Sequence, residues 1–376
     1  MKIGFDGKRA NANNTGLGNY SRFVVSSLAE HYGENSYSMY IPRHKANREY
    51  DAIVERFTSV DSRLPQRKIW RGILRSLWRT RAIVSDLRRD KVDIYHGLSN
   101  EIPVGIRHAG CRSVVTIHDL IYERFPHLFK PIDCRIYALK FKYACQHSDA
   151  IIAVSECTKR DIVKFFGIDP NKISVIYQGC DPQFAKLYDA EQKQECRKRY
   201  NLPKRFISSV GTLEERKNIL LAVKALEHLP NDIHLVACGR ATPYSERVMS
   251  YATERGLAHR VHLISGISYT DLPLVYQLSE VMVYPSRFEG FGIPIIEAQA
   301  SHIPVIAATG SCLEEAGGDA ALYVSPDDDK ALATAITDIL NNDQLRTSMV
   351  EKGVENLKRF TREKIASDIM ALYNTL

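Results

Sequence analysis

Short apolar, β-favouring runs recur along this chain, and most are followed by segments whose apolar positions fall at helical spacing. In the first half the runs are KIGFD (2–6), SYSMYIP (36–42), VDIYHG (92–97), SVVTIHD (113–119), AIIAVS (150–155) and ISVIYQG (173–179). In the second half they are FISSVG (206–211), HLVACG (234–239), VHLISG (261–266), VMVYPS (281–286), PVIAAT (304–309) and ALYVSP (321–326). Strands alternating with helices predict parallel α/β sheets. The alternation pauses at YQGCDPQF (177–184), and a polar, charged stretch follows over 186–205. The pattern therefore predicts two doubly wound domains of similar size facing a central cleft, the first over 1–180 and the second from 181 onward. Ligands of such sheets sit at the carboxyl ends of strands.

Composition sharpens this only in places. A chain of 376 residues with 44% apolar content can bury a large core. No run approaches the ~18 apolar residues a membrane helix needs, and MKIGFDGKRA lacks a signal-peptide core. The eight cysteines are scattered with no CxxC pair, which points to reduced thiols in a cytosol rather than to disulfides or zinc. The net charge of +7 is concentrated in residues 63–91, where ten Lys/Arg face two Asp. That stretch also holds Trp70 and Trp78, with apolar residues at 70, 73, 74, 77, 78 and 84. It reads as a basic amphipathic helix. Its tryptophans would pack on their own domain, and Arg71, Arg75 and Arg79 would face solvent or an anionic membrane surface. No nucleic-acid motif accompanies the charge, so nucleic-acid binding is not expected.

Candidate chemistry gathers at the strand ends. FEGFGIPIIEA (288–298) follows an apolar strand over Val281–Tyr284 and places Glu289 before a Gly-rich turn. Pro294 suits a first helical position, and Glu297 then falls in the first turn. Gly290 and Gly292 would let backbone N–H groups approach an anion at that helix start. The plainer reading has Glu297 complementing the helix dipole and Glu289 solvated. VTIHDL puts His118 and Asp119 at a strand end, GTLEERKN presents Arg216 and Lys217, and NTGLGNY supplies Gly16 and Gly18 in a glycine loop at the start of the first long helix. Taken singly, His118 suits a core histidine and Lys217 a solvated cap. Together they form a set for a nucleoside diphosphate carrying a sugar. The phosphate-loop pattern GxxxxGK[ST] is absent, and Ser21 stands where a dinucleotide fingerprint needs glycine. The DDD at 327–329 contains a DxD, but helix capping explains it more simply.

On these motifs the chain resembles a retaining GT-B glycosyltransferase of family 4. The resemblance runs from TGLGNY through IHDL, SECTKRDI and GTLEERKN to FEGFGIPIIEA and GDAALYV. In detail it is most similar to bacterial mannosyltransferase-like members that build cell-surface polysaccharides. The resemblance implies an acceptor-binding domain over 1–180, a nucleotide-sugar domain over 181–360, and a helix over 361–376 that crosses back to the first domain. Glu297 would take the ribose hydroxyls, and Glu289 the donor-sugar hydroxyls, near the backbone of Phe291 and Gly292. Arg216 and Lys217 would hold the diphosphate, Gly16 would close over it, and Gly18 would be a further donor-binding residue. His118 would orient the sugar, while Gly239, Arg240 and the 265–268 segment with Ser268 would line the base. Thr212 stands where some members carry an arginine, which leaves more of the phosphate charge to Arg216 and Lys217. The implied reaction moves a hexose, first choice mannose from GDP-mannose and second a UDP-hexose, to a lipid-linked or glycan acceptor. No metal or other cofactor is expected. A cytoplasmic protein, peripheral at the inner membrane face through 63–91, is the expected setting. A non-catalytic sugar-nucleotide binder and an epimerase are the alternatives.

Overall fold

The computed structural model describes residues 1–13, 15–66, 72 and 74–376. Two compact units emerge, Met1–Gly179 with Thr361–Leu376, and Cys180–Phe360. In the first, β1 (Lys2–Asp6), β2 (Ser36–Tyr40), β3 (Val60–Arg63), β4 (Ile94–Gly97), β5 (Arg112–Ile117), β6 (Ala150–Ala153) and β7 (Ile173–Val175) form one sheet in the order β3-β2-β1-β4-β5-β6-β7. In the second, β8 (Phe206–Val210), β9 (His234–Cys238), β10 (Val261–Ile264), β11 (Val281–Tyr284), β12 (Val305–Ala308) and β13 (Ala321–Val324) run in the order β10-β9-β8-β11-β12-β13. Every pairing is parallel. These are the two Rossmann-like α/β sheets expected from the pattern.

The apolar runs form central strands because helices cover both faces, so consecutive side chains are buried. Ile3, Phe5, Val114 and Ile152 are fully buried in the first unit, as are Ile207, Leu235, Val283 and Ile306 in the second. Each such side chain contributes about 1.5–3 kcal/mol of transfer free energy. The helix Arg362–Tyr373 buries Ile365, Ile369 and Tyr373 in the core beneath the helix Gly16–His31.

Every one of the twelve apolar runs contains a strand; β3 was not anticipated. Its sequence, VDSR, is polar, and only Val60 is buried, as befits an edge strand. In each sheet the order reverses direction once, between β1 and β4 and between β8 and β11. Loops leaving those strands diverge over the crevice where ligands of this architecture bind.

The basic stretch departs from its expected phase. Trp70, Arg71 and Ile73 lie outside the described residues. Beyond them, Arg75–Leu77 and Ile83–Arg89 are α-helical, joined by a π-helical turn over Trp78–Ala82. The wider turn adds a residue to the repeat, so Trp78, Ile83 and Leu87 become the buried face, while Leu77 is 53% exposed. Trp78 packs in its own unit and donates from Nε1 to Asp86 at 2.7 Å. Arg79 is not a surface arginine. It bonds Glu101 at 2.6 Å and Asp6 at 3.5 Å and is only 13% exposed.

Candidate active site

At the crevice of the second unit, the loops after β8 and β11 bring three predicted residues together. Arg216 and Lys217 occupy a short 3-10 turn, Glu215–Lys217, and Asn218 follows in the left-handed conformation at φ 57°. Asparagine tolerates that backbone better than most residues. Its amide donates to the carbonyls of Pro285 (3.1 Å) and Pro326 (2.8 Å), fastening the cationic turn to the neighbouring loops. Glu289 receives Lys217 Nζ at 2.5 Å and Arg216 Nη1 at 2.8 Å, and Ser286 also donates to it. Lys217 further donates to Tyr284 Oη at 2.7 Å, and Arg216 pairs with Glu214 at 2.6 Å.

Glu289 is 8% exposed. Burial opposes its charge, but Lys217 and then Arg216 overcome that and hold its carboxyl at about 2. It is a fixed anion bridged to two cations, not the solvated loop glutamate of the plainer reading.

Glu297 behaves in the opposite way. The helix runs Ile293–Ala300 with Pro294 as its second residue, so Glu297 lies beyond the first turn. This corrects the expected placement and removes the dipole explanation, since that effect fades within the first turn. Glu297 is buried, and Tyr276 donates to it at 3.0 Å. Burial raises its carboxyl to about 8, and the charge of Asp181 adds to the effect despite the Tyr276 bond. In the free protein it is a largely neutral acid near pH 7.

Of the remaining predicted residues of this unit, Phe291 and Gly292 lie in the loop after β11, Gly239 packs against the loop after β8, and Ser268 follows β10. Gly292 has φ 125°, a backbone suited to glycine, and precedes the helix. Phe291 is buried edge-on against Phe360, and its carbonyl accepts from Cys312 Sγ at 2.9 Å. A Cβ on Gly239 would come within 1.8 Å of the Gly211 carbonyl oxygen, so its glycine is demanded by backbone packing. Ser265 donates to the Gly239 carbonyl at 2.8 Å. The Ser268 hydroxyl lies 2.9 Å from Thr270 and accepts from the Asp271 amide. Asp328 caps the helix Asp329–Asn341 as expected, and Asp327 pairs with Arg287.

His118, Gly16 and Gly18 belong to the first unit. Gly16 and Gly18 are already helical, within Gly16–His31. Gly16 has open space where a Cβ would stand, whereas a Cβ on Gly18 would lie 1.8 Å from the Asn13 carbonyl oxygen. His118 is buried; its Nε2 meets the Leu98 carbonyl at 2.9 Å and so carries the proton. Burial lowers its pKa to about 4, which keeps the ring neutral with Nδ1 as an acceptor. Tyr20 packs edge-on against it at 4.6 Å. Beneath lies a buried chain that went unread in the sequence. Tyr373 meets His96 at 2.7 Å, His96 meets Thr116 at 2.8 Å, and Thr116 meets Tyr20 at 3.0 Å. A histidine in the apolar VDIYHG was its signal. Tyr284 and Ser286 also lay within a run read only as a strand.

Two family models match the chain. One described as "Glycosyltransferase Family 4" covers residues 23–184, and one described as "Glycosyl transferases group 1" covers 192–356. The chain belongs to the family 4 GT-B glycosyltransferases. Relatives within reach of sequence include O-antigen chain mannosyltransferase B of Escherichia coli, 26% identical over 77% of this chain and 76% of the relative. RfbU, an O-antigen chain mannosyltransferase of Salmonella typhimurium, is 31% identical over 60% of each chain. Among solved structures, Anabaena HepE, crystallised with UDP and glucose, superposes with a TM-score of 0.78 at 18% identity over the full length of both chains. Sucrose-phosphate synthase of Thermosynechococcus elongatus gives 0.78 at 20%, covering all of this chain and 98% of the other. Among the described residues of this glycosyltransferase, no helix is long and apolar enough to cross a membrane.

Proposed function

We propose that this glycosyltransferase moves a hexose from a nucleotide sugar to a lipid-linked or glycan acceptor in surface-polysaccharide synthesis, with retention of configuration. The cluster of Arg216 and Lys217 around the buried Glu289, at the strand-order reversal, carries the reading. Arg216 and Lys217 have donors beyond those engaged by Glu289. On donor binding they would take the diphosphate, leaving Glu289 to accept from sugar hydroxyls. Glu297 would accept from the ribose hydroxyls, giving up its own proton as it does so. His118 would accept a sugar hydroxyl at Nδ1.

In the reaction the bond from the anomeric carbon to the β-phosphate oxygen breaks, and a bond from the same face to the acceptor oxygen forms. The acceptor proton passes to the departing phosphate. The two cations stabilise the charge growing on that phosphate, the role this reading gives them in place of a metal ion. Mannose from GDP-mannose is the first choice, supported by the mannosyltransferases among the relatives. A UDP-hexose is the second, supported by the UDP bound in HepE. The exposed Arg75, Arg81 and Arg88 are the residues for peripheral contact with an anionic membrane.

A thermal-shift panel of nucleotide sugars tests the donor, since a ligand bound by the native state raises apparent stability by mass action. GDP-mannose is expected to give the largest shift; no shift with any member would end the reading.

A further inference from the structure

A second cluster of cations lies in the first unit. A cavity of about 230 Å³ is lined by Lys8, Asn11, Arg43, Lys45, Arg75 and Arg79, with Ala12, Pro42 and Ser76 completing it. Among the described residues, no carboxylate lines it. Arg79 is neutralised from behind by Asp6 and Glu101. Lys8, Arg43, Lys45 and Arg75 have no carboxylate partner within 4.0 Å among the described residues.

The surface is built rather than incidental. The Asn11 side chain, 1% exposed, donates to the Lys45 carbonyl at 2.8 Å and accepts from its amide at 2.9 Å. That pair of hydrogen bonds fixes the segment after β2 against the short helix Lys8–Ala12 that follows β1. The cavity therefore opens at the carboxyl ends of β1 and β2, the end of the sheet at which this architecture takes ligands. Half-burial and then the neighbouring Arg79 and Arg9 charges lower the Lys8 pKa, and Asp6 and Glu101 offset them only in part, so the site holds like charges together.

We propose that this cavity binds a phosphate or diphosphate group of the acceptor, making the acceptor class a phosphate-bearing one. The assignment rests on the transferase reading above, while the site itself is defined by its cations. Arg43, Lys45 and Arg75 are exposed, so replacing them does not disturb the core.

The test uses the full chain, wild type and the Arg43→Glu/Lys45→Glu double variant, each with saturating GDP or UDP to occupy any nucleotide site. Inorganic pyrophosphate, geranyl diphosphate and neutral octyl mannoside are titrated by calorimetry at fixed ionic strength. Wild type is expected to bind both diphosphates and not the mannoside, and the double variant to bind them at least tenfold more weakly. Geranyl diphosphate binding more tightly than pyrophosphate would assign the phosphate to a lipid carrier, and equal binding to the phosphate group alone. Equal affinities in the two proteins, or no diphosphate binding by wild type, would overturn the proposal. Variant-sensitive pyrophosphate binding in a chain that binds no nucleotide would instead sink the transferase reading alone.

Discussion

Replacing Lys217 with alanine removes one of two cations from a buried carboxylate, and the consequence can be worked from the structure. Holding Glu289 at about 2, against an ordinary value of 4.5, corresponds to roughly 3 kcal/mol of favourable interaction at ~1.4 kcal/mol per pH unit. Lys217 supplies the largest favourable share, and Arg216 remains 2.8 Å away. Losing one of the two cations therefore costs on the order of the same few kcal/mol, at roughly 2–4 °C per kcal/mol in the melting of a unit this size. The sign follows from linkage. Glu289 is depressed, so its contribution is present above pH 4.5 and is lost as pH falls through about 2. The gap between wild type and Lys217→Ala should then be full at pH 7 and narrow below pH 4.5. Turnover should fall further, by roughly 10²–10³, if the same ammonium meets the transition state. Melting curves at pH 7 and pH 3, with transfer rates from the same preparations, provide the check. An unchanged melting temperature at pH 7, or a gap that does not narrow in acid, would refute the ion-pair account. Near-normal transfer would refute the phosphate role.

Glu297 titrates in the other direction: its raised carboxyl favours folding below about 4.5, and that advantage is lost as pH rises through about 8. Glu297→Gln should therefore melt like wild type near pH 4 and increasingly above it as pH rises to 9. If ribose binding ionises Glu297, wild-type affinity for nucleoside diphosphate should rise between pH 6.5 and 8.5 and stay flat in Glu297→Gln; calorimetry giving two flat profiles would remove it from the ribose site. Gly18→Ala should cost about 3 kcal/mol or more because its Cβ has no room, whereas Gly16→Ala should fold normally and lose transfer. Urea titrations with rates separate the two. Wild type should float with anionic vesicles at low salt and sediment at high salt, and Arg81→Glu/Arg88→Glu should weaken that flotation. Equal flotation of both proteins would make these arginines an ordinary solvated face.

The strands were legible because parallel sheets bury both faces, which leaves a continuous apolar run in the sequence. β3 escaped because an edge strand buries little; VDSR has one buried residue. The helix over 75–89 was legible as amphipathic but not in its phase. A π-helical turn is a one-residue change in backbone pitch with no residue type that announces it, and it moves Leu77 outward and Ile83 inward. Arg79 looked like a surface charge because Asp6 and Glu101, which pair with it, are distant in sequence. In the second unit, Glu289 and Glu297 stood out by their spacing, while their opposite ionisation did not. That difference depends on Lys217 beside one and Tyr276 beside the other, contacts that only the fold creates.

The central claim is that the Arg216–Lys217–Glu289 site turns over a nucleotide sugar. Release of labelled hexose from GDP-mannose and UDP-hexoses, measured without acceptor for wild type and Glu289→Gln, tests it most directly. Slow release by wild type, fastest with GDP-mannose and at least a hundredfold slower in the variant, is the predicted result. Equal release by the two proteins, or none from any donor, would contradict it.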